Sequence, residues 1–180
     1  MARRQLNIAV AVLLIAAAGC ERASPTESRL AASAPASLDR SPDVPFRLVL
    51  SGNANPDFSQ GPCNVVNVES GTGVAEHLGN VTWTSREVAN FCVDPNNPSI
   101  ASVSGTMVIT AANGDQLVQT YTTTVNADFN AGTLVATGAY VVAGGTGRFS
   151  DATGGGAVNV SGSLAAPFGV SGTYTGSIAY

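Results

Sequence analysis

The chain has 180 residues, with eight arginines, no lysine, twelve acidic residues and a net charge of −4 at pH 7. From Phe46 onward only Arg47, Arg86 and Arg148 stand against eight carboxylates. So few cations cannot displace the counterions condensed on a polyphosphate, which excludes nucleic-acid binding and disfavours peripheral attraction to anionic lipid.

The opening MARRQLNIAVAVLLIAAAGC joins a basic start at Arg3 and Arg4 to an apolar run of 11 residues from Ile8 to Ala18. A hydrocarbon core of ~30 Å takes about 20 residues to cross, so residues 1–19 read as a signal peptide rather than a spanning helix. Ala17-Ala18-Gly19-Cys20 resembles a bacterial lipobox, which predicts a diacylglycerol on Cys20 and an anchor in the cell envelope. Ordinary secretion with cleavage nearby is the alternative. Glu21, in place of an aspartate that would favour retention at an inner membrane, points to the outer one where there are two. Residues 20–45 are rich in Ala, Ser and Pro with no sustained apolar period, and are expected to form a flexible tether.

From residue 46 to 180 the texture changes to short apolar and threonine-rich runs punctuated by Gly, Asn, Asp and Pro, with no 3.6-residue period. This predicts one all-β domain. The expected strands are Phe46 to Leu50, Asn64 to Ser70, Val74 to Ser85, Ser99 to Ala111, Gln116 to Asp128, Thr133 to Ala143, Gly155 to Leu164 and Phe168 to Tyr180. Eight strands of this length suit a closed antiparallel barrel or a sandwich, and closure removes adhesive sheet edges. A membrane-spanning barrel is disfavoured, because its girdles need more aromatic residues than the 6% present here.

Cys63 and Cys92 remain once Cys20 is assigned to lipid, and in an oxidising compartment they are expected to form a disulfide. In MVITAANGDQLVQTY a two-residue turn would mix the strand faces. A three-residue loop Ala112-Asn113-Gly114 keeps Met107, Ile109, Leu117, Gln119 and Tyr121 on one face.

Signals for chemistry are sparse. His77 is the single histidine, so two-histidine metal sites are excluded, and no metal or cofactor is expected. On a Val74 to Ser85 strand it would share a face with Val81 and Trp83. Glu69, Glu76, Glu87, Asp115, Asp128 and Asp151 fall mostly near predicted strand ends or turns, where solvated carboxylates are the default. The glycine-rich VVAGGTGRFSDATGGG fails the dinucleotide pattern at Ser150, the Walker pattern for want of lysine, and the calcium nonapeptide pattern at Phe149. It reads as a structural turn built on Gly144, Gly145 and Gly147, with Phe149 plugging a barrel end and Arg148 bonding nearby carbonyls or Asp151.

Two segments, TMVITAANGDQLVQTYTTTV and GAYVVAGGTGRFSDATGGG, resemble dirigent proteins and the allene oxide cyclase-like barrels. EHLGNVTW, from Glu76 to Trp83, is similar to a glycine-containing strand near the start of the bacterial members. The resemblance implies an eight-stranded antiparallel barrel of calycin-like shape, often a homo-oligomer, whose cavity holds an apolar or aromatic small molecule. It carries no catalytic residue over to this chain. The leading expectation is therefore a non-catalytic, lipid-anchored module binding a small apolar ligand or a partner, with His77, Trp83, Tyr121 and Tyr140 as candidate cavity-lining residues. The alternatives are a cyclase or isomerase in which His77 or Glu69 moves a proton, and a structural envelope protein without a pocket.

Overall fold

The computed structural model describes residues 42–180; the signal peptide expected over residues 1–19, Cys20 and most of the expected tether lie outside the described residues. Eight strands form a closed antiparallel barrel in simple meander order. They are β1 (Val44–Asp57), β2 (Asn64–Ala75), β3 (Gly79–Asn90), β4 (Ile100–Ala111), β5 (Gln116–Asp128), β6 (Thr133–Gly145), β7 (Thr153–Ser163) and β8 (Gly169–Ala179), and β1 pairs with β8 to complete the ring.

The two-residue period of the sequence is what sets the barrel wall. On β5, Leu117, Gln119, Tyr121, Thr123 and Val125 are buried, while Thr120, Thr122, Thr124 and Asn126 are exposed. On β3, Val81, Trp83, Ser85 and Ala89 point in, and Thr82, Thr84, Arg86 and Asn90 point out. On these two strands the outward face is mostly threonine and other polar side chains, while Val49, Val68, Val74, Val135 and Val141 are exposed on β1, β2 and β6.

Two sequence expectations need correction. The strand expected from Val74 to Ser85 is two strands joined by a turn at Glu76-His77-Leu78, where His77 has φ of 67° and Gly79 of 73°. The alternation reads continuously across this point because both flanking strands carry apolar residues, so periodicity alone conceals the reversal. The first strand also continues through SGNANPD to Asp57, far beyond Leu50, because ladder bonds to β2 and β8 override the poor strand propensity of Gly, Asn and Pro.

The β4–β5 hairpin has the three-residue loop. Ala111 N–H donates to the Asp115 carbonyl, Ile109 lies opposite Leu117 and Met107 opposite Gln119. Cys63 and Cys92 form the disulfide, with Cα atoms 5.2 Å apart, tying the start of β2 to the end of β3.

The glycine-rich segment makes the β6–β7 connection as a single turn of 3-10 helix, Gly147–Phe149. Phe149 is fully buried in the barrel end. Arg148 hydrogen-bonds the His77 carbonyl, lies 3.8 Å from Asp115, and covers the rings of Phe149 and Tyr180. Its carboxylate partner is thus Asp115 of the neighbouring hairpin rather than Asp151. A side chain at Gly147, where φ is 58°, would collide with the Asp115 carboxylate, so the two turns are packed against one another.

Candidate functional site

An eight-stranded barrel has an interior just wide enough to be filled by side chains or to hold one small ligand. Here the two halves do one each. Toward the end closed by Phe149, the inward positions carry Phe46, Leu48, Trp83, Met107, Ile109, Leu117 and Ile178, all essentially without solvent exposure. Toward the other end they carry Ala54, Ala89, Val103, Thr123, Val125, Ala136, Val158 and Val160. These smaller side chains leave a cavity of about 310 Å³.

The cavity opens where the β1–β2, β3–β4, β5–β6 and β7–β8 connections gather. Phe58, Phe91, Phe129, Leu164 and Phe168 contribute to its lining. Phe58 and Phe129 are 66% and 61% exposed, an unusual placement for free phenylalanine rings. The β7–β8 connection is held in place by the Phe168 carbonyl, which accepts from Ala54 N–H at 3.0 Å.

A layer of tyrosines separates the cavity from the packed half. The Tyr121 and Tyr174 rings meet edge to face with centroids 6.3 Å apart, Tyr174 packs on Tyr140 at 5.6 Å, and Tyr140 on Phe46 at 6.2 Å. Gly105 lies opposite Tyr121 on β4, and a Cβ there would sit 2.7 Å from the Tyr121 hydroxyl, so the missing side chain is what admits the ring.

Two carboxylates complete the floor. Glu69 and Glu87 both line the cavity, on adjacent strands. Ser85 Oγ donates to Glu69 Oε2 at 3.0 Å, Asn67 Nδ2 donates to Glu87 Oε1 at 2.9 Å, and Tyr121 Oη donates to Glu87 Oε2 at 2.8 Å. Burial pushes the Glu69 carboxyl up to about 7, the nearby Glu87 charge adds to the rise, and the Ser85 hydrogen bond opposes it. Desolvation first, and Glu87 second, holds the Tyr121 hydroxyl well above the usual phenol range. Tyr174 is shifted the same way by burial and by both carboxylates. Near neutral pH this arrangement places an acid that is protonated about half the time next to a second carboxylate, in an apolar chamber.

The candidate residues named from sequence distribute as follows. Tyr121 lines the cavity. Tyr140 belongs to the tyrosine layer without lining the cavity, and Trp83 lies in the packed half, its indole N–H shared between the carbonyls of Ser51 and Thr72 at 3.3 and 3.2 Å. His77 is not in the interior at all. It occupies the exposed β2–β3 turn, where its Nε2 bonds the Pro45 carbonyl at 2.9 Å and its ring meets Tyr180. Because the strand expected through His77 is interrupted there, the face assigned to it by alternation does not exist.

Glu69 and Glu87 depart from the solvated turn carboxylates expected as the default, since both line the cavity. The signal for Glu87 was present in the sequence, since it shares the parity of Val81, Trp83, Ser85 and Ala89 in VTWTSREVA. Ending that strand at Ser85 hid it. Among the described residues, no group of three or more His, Cys, Asp or Glu side chains is arranged to hold a metal ion.

These features define a closed antiparallel β-barrel with one plugged end, one open end and an acidic floor under an apolar chamber. Comparison of the chain with protein-family models, with curated proteins and with solved structures gave no match.

Proposed function

We propose that this protein is an exported barrel, anchored to the cell envelope through Cys20, that binds a small and largely apolar ligand in the chamber at its open end. The observation that carries this reading is the chamber itself. About 310 Å³ of interior is walled mostly by Ala, Val, Leu and Phe side chains, with the carboxylates gathered at the floor. Apolar walls with a few convergent polar groups are the usual construction of a small-molecule site. The resemblance of the hairpin and glycine-turn segments to allene oxide cyclase-like and dirigent-like barrels points the same way, and is offered as part of this proposal.

The test is ligand retention. Native mass spectrometry of the protein taken from its own envelope is expected to reveal a bound small molecule, together with the lipid on Cys20. The Ala136→Trp variant, whose indole would fill the chamber, is expected to fold and to lose the ligand. Equal retention by both proteins would defeat the proposal.

A second reading, that of an isomerase or cyclase, is favoured specifically by Glu69. A carboxyl with a pKa of about 7 beside Glu87 has the form of an acid and base ready to move a proton on a bound hydrophobic substrate. Conversion of the retained molecule by the wild type, and its return unchanged from Glu69→Gln, would distinguish this reading from simple binding.

A further inference from the structure

The floor of the chamber is chemically one-sided. Three of its donors are turned onto the carboxylates, Ser85 Oγ onto Glu69 and Asn67 Nδ2 and Tyr121 Oη onto Glu87, while the Tyr174 and Thr123 hydroxyls also line the chamber. The charged and unpartnered groups offered to a guest are acceptors, the two carboxylates and the Asn67 amide oxygen. Asn67 Oδ1 is buried and has no partner among the described residues, and the amide cannot be turned over without aiming its oxygen at the Glu87 carboxylate. Among the described residues no Arg, Lys or His side chain lines the chamber, and Arg86, although next to Glu87 in sequence, is on the outward face of β3. The negative charge therefore has no internal counterion among the described residues. The Tyr174 ring lies in the floor, and above it stand the rings of Phe91, Phe58, Phe129 and Phe168.

We infer that the chamber takes a small organic cation, a protonated amine carried on an apolar or aromatic body, with the ammonium group on Asn67, Glu69 and Glu87 and the body among the aliphatic and aromatic walls. This rests on the ligand-binding reading and narrows it to one class of ligand. An ammonium group has three donors and no acceptor, which is the complement of this floor. It supplies the missing counter-charge where an unpaired buried carboxylate is costly, and aromatic faces around it add cation–π attraction. A neutral alcohol would meet Asn67 Oδ1 but leave the charge unpaired. A carboxylic or phosphate ligand would be repelled.

Occupation by a cation also reverses the forces acting on Glu69. In the empty chamber, burial and the Glu87 charge favour its protonated form; beside an ammonium group the ionised form is favoured. The other groups facing it are Ser85, which does not titrate, the Glu87 carboxylate, and Tyr121 and Tyr174, which burial holds neutral, so the proton exchanged on binding is assigned to Glu69. The cation should therefore enter with release of a proton on the acid side of neutrality and without release on the alkaline side.

The experiment is calorimetric titration of the full chain with phenylbutylamine, phenylbutanol and phenylbutyrate, at about pH 6 and about pH 8.5, in two buffers of different ionisation enthalpy. The amine is expected to bind about tenfold or more tighter than the alcohol, with phenylbutyrate weakest. Its affinity should rise between the two pH values, with close to one proton released at the lower pH and almost none at the higher. Glu69→Gln should abolish the proton release and the pH dependence while keeping the wild-type circular dichroism; the comparison of probes on the wild type stands even if that variant fails to fold. Binding of the alcohol with the amine no tighter would overturn the cation inference and leave the ligand-binding reading in place. Binding of none of the three would count against both.

Discussion

Glu69 and Glu87 stand diagonally across the ladder between β2 and β3, and each is held by the residue directly opposite the other strand's position: Glu69 by Ser85, Glu87 by Asn67. Like charges on one barrel face repel, and burial together with the Glu87 charge raises the pKa of the Glu69 carboxyl. This sets a pH dependence of stability with a definite sign. Below about pH 4.5 Glu69 is protonated in both folded and unfolded chains. As pH rises toward 7 the unfolded chain gives up that proton while the folded barrel keeps it, so the unfolded state gains, and above about 7 both are ionised and the slope ends. Wild type is expected to lose roughly 2–3 kcal/mol of stability from this group across that window. Urea unfolding of wild type and Glu69→Gln, followed over the same pH range, isolates the effect, because the variant keeps every other titrating group. Parallel curves would show that Glu69 does not titrate in the folded barrel as described.

Two tyrosines of the same layer should respond in opposite ways to loss of a hydroxyl. Tyr121 Oη donates to the Glu87 carboxylate, whereas Tyr140 Oη is buried without a partner among the described residues. Removing a donor from a buried charge costs about 1–3 kcal/mol, and removing an unsatisfied polar atom costs little or is favourable. Tyr121→Phe is therefore expected to unfold at lower urea concentration, and Tyr140→Phe at the same or a higher one. The ring contacts survive in both variants, so the comparison reports on the hydroxyls alone.

The barrel was legible in the sequence because its determinants are local. Strand alternation, the Asn113-Gly114 turn and the wide spacing of turn residues are read within a few positions of one another, and the hairpin register follows from matching faces across that loop. What local pattern does not carry is strand reversal where no apolar beat is lost. The turn at His77 hides inside a run that alternates on both sides, which misplaced His77 inside and shortened the strand carrying Glu87. The division of the interior was beyond reach for a different reason. Whether Ala89 or Trp83 faces a void depends on which inward residues from seven other strands share its level, and that is fixed only by ring closure.

The disulfide belongs to the open half. Cys63 and Cys92 are 29 residues apart in sequence and join the strands that carry Glu69 and Glu87, beside the Phe91 N–H bond to the Cys63 carbonyl at 2.8 Å. Closing a loop of that length in the unfolded chain is worth about 3–4 kcal/mol in the chain-entropy account. The double variant Cys63→Ser with Cys92→Ser should lose most of that stability and melt earlier. Because β2 and β3 remain paired along the rest of their length, its circular dichroism below the transition should match wild type.

Arg148 tests whether the glycine turn acts on the chamber at a distance. Its guanidinium joins the β2–β3 turn, the β4–β5 turn and the Phe149 and Tyr180 rings at the plugged end, away from the cavity. The ion pair with Asp115 is partly exposed and worth little, so the main loss on truncation is the bond to the His77 carbonyl and the cover over Phe149. Arg148→Ala should lower stability by about 1–2 kcal/mol and leave phenylbutylamine affinity unchanged in the folded fraction. A large fall in affinity at unchanged stability would assign the turn to ligand contact instead.

Trp83 gives the sharpest test of the packed half. Gly52 and Gly71 lie opposite one another on β1 and β2, and the Trp83 indole lies against Gly52 while its N–H reaches the Ser51 and Thr72 carbonyls. A Cβ at Gly52 would come within 2.2 Å of the Ser70 carbonyl oxygen and 2.7 Å of the indole. Neither neighbour can yield cheaply, since one is ladder backbone and the other is 1% exposed and packed on all sides. Overpacking of this kind typically costs 1–3 kcal/mol, and here a displaced ladder bond adds to it, so Gly52→Ala should cost about 3 kcal/mol or more. Trp83 is the single tryptophan of the chain, so its emission reports the site directly. A red-shifted spectrum in Gly52→Ala under native conditions is the expected result, and an unshifted spectrum with wild-type stability would mean that the indole does not rest on the glycine pair.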